Sequence, residues 1–225
     1  IPPPRLSCCH DPPPRPAFAL ESWNYSGLPC GSRPTSPGEP RVSTAVAPVA
    51  VLSDSFGRVA RDLRVSLTDR CNLRCTYCDT TYSYFEGELK ALEQIIDKVE
   101  SFGTPYVCIT GGEPLLQKEV HTLMQNLSDK NFKVSLETSG SKSCKEVDSR
   151  VKIILDVKTP DSGAADSFDL NNLAFANEKT EFKFVICSEK DFEWSEQFCR
   201  QHDLFEKFVV LYSPSYGKID AKWLA

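Results

Sequence analysis

Three cysteines stand within eight residues, Cys71-Asn72-Leu73-Arg74-Cys75-Thr76-Tyr77-Cys78, in the spacing C-x3-C-x2-C. Thiols packed this densely point to metal or redox chemistry in a reducing compartment. Zinc asks for four ligands in a closed tetrahedron, usually two C-x2-C pairs or one pair with two histidines. Here one C-x2-C is present, and no histidine lies within forty residues of it. Three thiolates on a tight loop suit instead a [4Fe–4S] cubane with one iron left without a protein ligand. An open iron is what a chelating cofactor needs. The alternative is a structural zinc-binding module completed by Cys108 or another distant cysteine.

A second constellation follows at Gly111-Gly112-Glu113-Pro114, directly after the apolar run Tyr106-Val107-Cys108-Ile109-Thr110. Two glycines at a strand end let the backbone approach a ligand closely, where sites form in α/β proteins. Further polar residues sit at the ends of apolar runs. Glu137 closes Phe132-Lys133-Val134-Ser135-Leu136, and Asp156 and Lys158 close Val151–Lys158. Glu137 is expected at the mouth of the site, where it would bind cofactor ribose or amino groups. Lys183, between Phe182 and Phe184, reads as a half-exposed strand residue. His121 and His202 fall on helix faces away from these motifs.

These residues need a scaffold of alternating strands and helices. Strands are expected at Arg64–Leu67, Tyr106–Thr110, Phe132–Leu136, Val151–Lys158, Phe182–Cys187 and Phe208–Leu211, the last broken by Ser213-Pro214. Leu89, Leu92, Ile96, Val99 and Phe102 recur at helical spacing until Gly103 stops them. Leu116, Val120, Leu123 and Leu127 mark another helix, and Trp194, Phe198 and His202 a third. Strand–helix alternation means parallel strands with crossovers. Six strands are too few for an eight-unit barrel, so an α/β fold of the open, partial (β/α)6 type is expected.

Composition bounds the rest. The 225 residues are 40% hydrophobic and 25% charged, as in a globular protein. A net charge of −5 leaves no electrostatic footprint for nucleic acid or an anionic membrane. No apolar run approaches the length of a membrane span. Twelve of the sixteen prolines fall in residues 1–50, which therefore read as a disordered leader, with residues 51–225 as the functional domain. Cys8, Cys9 and Cys30 in that leader read as free thiols. The chain starts at Ile1, not Met, and reads as part of a longer protein.

The cysteine motif, with Tyr77 before its third Cys and GGEP downstream, resembles the radical S-adenosylmethionine (SAM) superfamily. That resemblance implies a cluster on Cys71, Cys75 and Cys78, and SAM held near Tyr77, Gly111, Gly112 and Glu113. From Cys71 onward, the motifs CNLRCTYCDT, CITGGEPLLQ, LETSG, LDVKTPDSG, EFKFVI and LYSPSYG are similar to the 7-carboxy-7-deazaguanine synthase family. The likeness implies a carbon–nitrogen lyase that turns 6-carboxy-5,6,7,8-tetrahydropterin into 7-carboxy-7-deazaguanine, in queuosine biosynthesis. It implies Mg2+ on Thr80 after Asp79, substrate contact by Thr110, and SAM contacts from Asp156 and Lys158. It also implies an external reductant of flavodoxin or ferredoxin type, a cytoplasmic setting and a homodimer.

Two features of that family are not in these residues: a Gln-Gly-Glu-Gly segment, and an Arg four residues before the first Cys, where Leu67 stands. Both bear on substrate binding, so SAM binding with weak or no turnover is expected. Residues 52–78 are similar instead to GTP 3′,8-cyclase of molybdenum cofactor biosynthesis, which implies that Arg64 contacts substrate. That is the alternative activity.

Overall fold

In the central strands of the sheet, alternation of residues along the chain decides which face is buried. The computed structural model describes residues 18–20, 58–68, 71–78 and 88–224. Phe18–Leu20 (β1) lies within the Pro-rich segment, and the rest of residues 1–57 falls outside the described residues. Asp62–Ser66 (β2) precedes the cysteine loop, and Glu88–Lys90 (β3) follows it, antiparallel to β1. Leu92–Ser101 (α1), Tyr106–Thr110 (β4), Val120–Asp129 (α2) and Lys133–Thr138 (β5) complete the first half. Lys152–Asp156 (β6), Glu181–Ile186 (β7), Glu189–Gln201 (α3), Leu204–Lys207 (α4), Val209–Pro214 (β8) and Ala221–Leu224 (α5) form the second.

Among the described residues, β2, β4, β5, β6, β7 and β8 lie in that order in one parallel sheet, and each strand is one of the six expected. One sheet face is apolar and covered. Val65, Val107, Ile109, Val134 and Leu136 pack with Ile95, Val99, Leu123 and Leu127 of α1 and α2. Ile153, Leu155, Phe182, Phe184 and Ile186 pack with Cys199 and Phe198 of α3. The opposite face carries Arg64, Cys108, Thr110, Ser135, Glu137, Asp156 and Lys183, and register lines up Arg64, Cys108 and Ser135 across three strands. A sheet dry on one side and polar on the other can present a site across its strand ends. Lys183 is half-buried there, as expected.

Three local expectations give way to tertiary context. Leu89 matches the helical spacing but belongs to β3 and is exposed; the helix starts after Ala91, whose N–H donates to Gln94 Oε1 at 2.9 Å. Gly103, at φ 64°, ends that helix as expected. Leu116 lies in a 3-10 turn, Pro114–Leu116, and extended Gln117 separates it from α2. Strand β8 runs through Ser213 to Pro214, paired with Ile186. A proline has no N–H for the ladder, and β8 tolerates it because its other edge is unpaired among the described residues. The crossovers from β5 to β6 and from β6 to β7 contain no α-helix; the latter is built from 3-10 turns.

Candidate active site

The cysteine loop follows the C-terminal end of β2, and hydrogen bonds from Asn72 and Thr76 tie it to the loops beyond β5 and β6. At the first, Asn72 exchanges hydrogen bonds with Ser141 beyond β5 (Nδ2 to Oγ 3.0 Å; Oγ to Oδ1 3.2 Å). At the second, Thr76 donates from its N–H to Ser162 O (2.9 Å) and from its hydroxyl to Asp161 O (2.7 Å), beyond β6. Within the loop the Cys78 N–H donates to Cys75 O at 3.1 Å, closing the C-x2-C turn. The Leu73 N–H points at Cys71 Sγ at 3.4 Å. Cys71 and Cys75 are half-buried and Cys78 is exposed. Burial pushes the Cys75 thiol up; the Lys158 ammonium opposes that, and Cys71 and Cys78 reinforce it. A metal bound there would have to offset that burial to take Cys75 as a thiolate.

Among the described residues, no three His, Cys, Asp or Glu side chains gather in the tight arrangement that one ion requires. A cubane makes a different demand, since each thiolate takes a separate iron corner. Beside the loop, Lys158 Nζ lies 3.0 Å from Asp156 Oδ2 and 5.5 Å from the Tyr77 ring centre, with 11% of the Lys158 side chain exposed. Burial works against the Lys158 charge, but Asp156 first, then Tyr77 and Cys75, more than offset it, so its pKa is raised. Burial likewise pushes the Tyr77 phenol up. The Tyr77 hydroxyl and Asp156 Oδ1 are buried with no hydrogen-bond partner among the described residues. Orphaned polar atoms beside the cysteine loop fit a polar cofactor held at a cluster.

On the polar sheet face, Arg64 Nη2 donates to Glu137 Oε2 at 2.7 Å and reaches Thr110 Oγ1 at 3.4 Å. Arg64, Thr110 and Glu137 thus form one group, with Glu137 bound to the arginine instead of standing alone. The Arg64 side chain is 62% exposed, so the pair contributes little to stability and its guanidinium is accessible to an anion.

The glycine motif packs closely on the chain's own backbone. Gly111 has φ 140°, and a Cβ there would stand 2.6 Å from Thr68 O; the Gly112 N–H donates to that same oxygen at 2.6 Å. The close approach expected of a ligand is made at Gly111 by the backbone leaving β2. Glu113 departs further from expectation, because it is fully buried and its carboxylate faces inward. Its Oε1 accepts from Thr138 Oγ1 (2.8 Å) and Leu115 N (3.2 Å), and its Oε2 from Ser139 N (3.0 Å) and Ser139 Oγ (2.5 Å). Ser139 Oγ also lies 2.8 Å from Ser141 Oγ, the partner of Asn72. Glu113 therefore holds the turn and, through two serines, one end of the cysteine loop. Asp79 and Thr80 lie outside the described residues.

Sequence reasoning passed over Asn72, Thr76, Ser141 and Asp191. Their partners lie 30 to 85 residues away along the chain for Asn72, Thr76 and the Asp191–Asp161 contact, so no local spacing marks them. His202 packs its ring on Phe198, with centroids 4.6 Å apart, and takes no part in the site.

The sequence profile of the Radical SAM superfamily matches residues 65–189. The 7-carboxy-7-deazaguanine synthase of Chlorobaculum tepidum is 36% identical over 158 residues, 69% of this chain and 72% of that protein. That of Koribacter versatilis is 40% identical over 151 residues, 66% of this chain and 67% of that protein. The chain belongs to the radical SAM superfamily, among the 7-carboxy-7-deazaguanine synthases. A shorter stretch of 83 residues is 47% identical to GTP 3′,8-cyclase of Corynebacterium glutamicum, covering 33% of this chain and 22% of that one. Among solved structures, QueE from Escherichia coli shares the radical SAM fold at a TM-score of 0.56 and 19% identity, over 68% of this chain and 75% of that one. Streptococcus suis SuiB bound to S-adenosylmethionine does so at 0.52 and 18%, over 71% and 41%.

Proposed function

We propose that this chain converts 6-carboxy-5,6,7,8-tetrahydropterin to 7-carboxy-7-deazaguanine with loss of ammonia. The carrying observation is the C-x3-C-x2-C loop, anchored beside the partly buried Lys158–Asp156 pair in a chain 36% identical to a synthase of that name. Cys71, Cys75 and Cys78 would hold a [4Fe–4S] cluster. Tyr77, Asp79, Gly111, Gly112, Asp156, Lys158 and Glu137 would face SAM, and Thr80 would carry Mg2+. When bound, the cluster and SAM supply a one-electron reductive cleavage that yields an organic radical.

The protein's part is orientation and electrostatics. Lys158 keeps a positive charge beside Cys75, and Asp156 Oδ1 offers an unused acceptor to a cofactor amine or hydroxyl. Arg64 would take the substrate carboxylate by exchanging Glu137 for it, and Thr110 would hold the ring beside that contact. Fixing both partners on neighbouring strand ends would hold the reacting carbon in place for that chemistry. The surroundings would be cytoplasmic, with a flavodoxin- or ferredoxin-type reductant and residues 51–225 as the working unit, acting as a homodimer. No helix among the described residues is long and apolar enough to cross a membrane.

GTP 3′,8-cyclase is the second reading, favoured by Arg64 and the 83-residue match. Against it, Cys144, Cys187 and Cys199 are each buried and do not share a loop as a second ligand set. One assay separates the two. The reconstituted chain, SAM and a reductant are incubated in parallel with the carboxypterin and with GTP, with and without Mg2+. Slow, Mg2+-stimulated deazaguanine formation is expected, with the stimulation lost in Thr80→Ala. Product from GTP and none from the carboxypterin would overturn the proposal.

A further inference from the structure

We propose that Thr76 and Asp191 form a latch that sets the geometry of the cysteine loop, with Asp191 as a positioning residue that acts through Thr76. The proposal rests on the reading of Cys71, Cys75 and Cys78 as cluster ligands. Thr76 lies between the second and third cysteines, and its two donors engage two consecutive carbonyls, Ser162 O at 2.9 Å and Asp161 O at 2.7 Å. Two bonds from one residue fix both the position and the rotation of the segment that carries Cys75 and Cys78.

The receiving turn is itself held rigid. Ser162 N and Ser162 Oγ both donate to Thr159 O (3.1 and 2.6 Å), and the Gly163 N–H donates to Pro160 O at 3.0 Å. Gly163 adopts φ 75°, and a Cβ there would lie 3.5 Å from the Thr76 methyl. The threonine therefore sits against this turn with its methyl as well as its donors.

Asp191 fixes the turn from behind. It is fully buried, in the first turn of α3, where the helix N-terminus favours a negative charge. One carboxylate oxygen accepts the Asp161 N–H at 2.9 Å, and the other accepts the Cys187 N–H at the end of β7 at 3.0 Å. Ser188 completes the knot. Its hydroxyl accepts from the Asp191 N–H at 3.3 Å and lies 2.6 Å from Asp161 Oδ2, to which it donates. An unbroken hydrogen-bonded path thus runs from the start of α3 and the end of β7, through Asp191 and the 159–163 turn, to Thr76 between the cysteines. Groups that orient metal ligands govern retention and electronic character of the metal as strongly as many ligands do.

Thr76 is exposed, so its hydroxyl adds little to global stability, and its effect must be sought at the cluster. The full chain and its Thr76→Val, Thr76→Ser and Asp191→Asn variants are reconstituted anaerobically. Iron release to a chelator and the electron paramagnetic resonance spectrum of the reduced cluster are then recorded. Thr76→Val is nearly isosteric and keeps the N–H bond; it should release iron about 10-fold faster and shift or broaden the spectrum. Thr76→Ser restores the hydroxyl and should return both readouts to wild type. Asp191→Asn should reproduce the Thr76→Val spectrum with an added loss of thermal stability. Should that variant not fold, the Val–Ser pair decides the matter. A Thr76→Val protein with wild-type release and spectrum overturns the latch. A wild-type chain that takes up no iron and sulfide overturns the cysteine reading, and the latch with it.

Discussion

Cys75→Ala should abolish SAM cleavage and prevent assembly of a cluster with one open iron. Cys75 stands between the loop's two anchors, within reach of the charges of Cys71, Cys78 and Lys158, and among the described residues the loop carries no fourth thiol to replace the lost ligand. Cys71→Ala and Cys78→Ala should behave alike, because two thiolates cannot hold three iron corners. Cys144→Ala and Cys199→Ala supply the contrast. Burial pushes those thiols up to about 12 and about 11, which suits inert core side chains and not metal ligands. Their loss should cost about 1 kcal/mol of stability and leave SAM cleavage intact. Quantifying methionine and 5′-deoxyadenosine from each variant checks this, and cleavage persisting in Cys75→Ala would remove the cysteine loop from the reaction.

The second large effect is expected at Glu113, through stability first. Its carboxylate is fully buried and accepts four hydrogen bonds, two of them from the backbone N–H groups of Leu115 and Ser139. In Glu113→Ala the hydroxyls of Thr138 and Ser139 can turn elsewhere, but the two N–H groups cannot. Leaving them unpaired should cost about 3–5 kcal/mol, read from the urea unfolding midpoint. Glu113→Gln keeps one oxygen and the side-chain shape and should lose roughly half as much. The Asn72 anchor loosens in both variants, since Ser139 and Ser141 lose their support. Unchanged stability with weakened SAM binding would mean that the carboxylate serves a ligand instead.

These two sites mark how far the amino-acid order could be read. The alternation at Phe132–Leu136 and the apolar runs near 107, 153 and 184 identify strands because one sheet face is dry along its length, and dryness leaves a period of two. The cysteines identify a cluster because their chemistry depends on type and spacing. Glu113 was legible as a motif but not in its direction, since nothing local reveals that Thr138 and Ser139, 25 and 26 residues away, are waiting for it. Asp191 was hidden for the same reason: its partners, Asp161 and Cys187, come together only when β6 and β7 pair. Leu89 and Leu116 fitted a helical period by coincidence, and strand pairing in one case and Pro114 in the other removed them from the helix. Local pattern thus specifies the scaffold, whereas the hydrogen bonds that hold the loop are long-range.

The central claim is that Cys71, Cys75 and Cys78 hold a cluster with an iron open to SAM. The most direct measurement combines iron, sulfide and zinc analysis of the anaerobically reconstituted chain with its low-temperature electron paramagnetic resonance spectrum before and after SAM is added. About four irons and four sulfides per chain are predicted, with a spectrum that changes when SAM occupies the open iron. Stoichiometric zinc without sulfide, or a cluster whose spectrum ignores SAM, would contradict the claim.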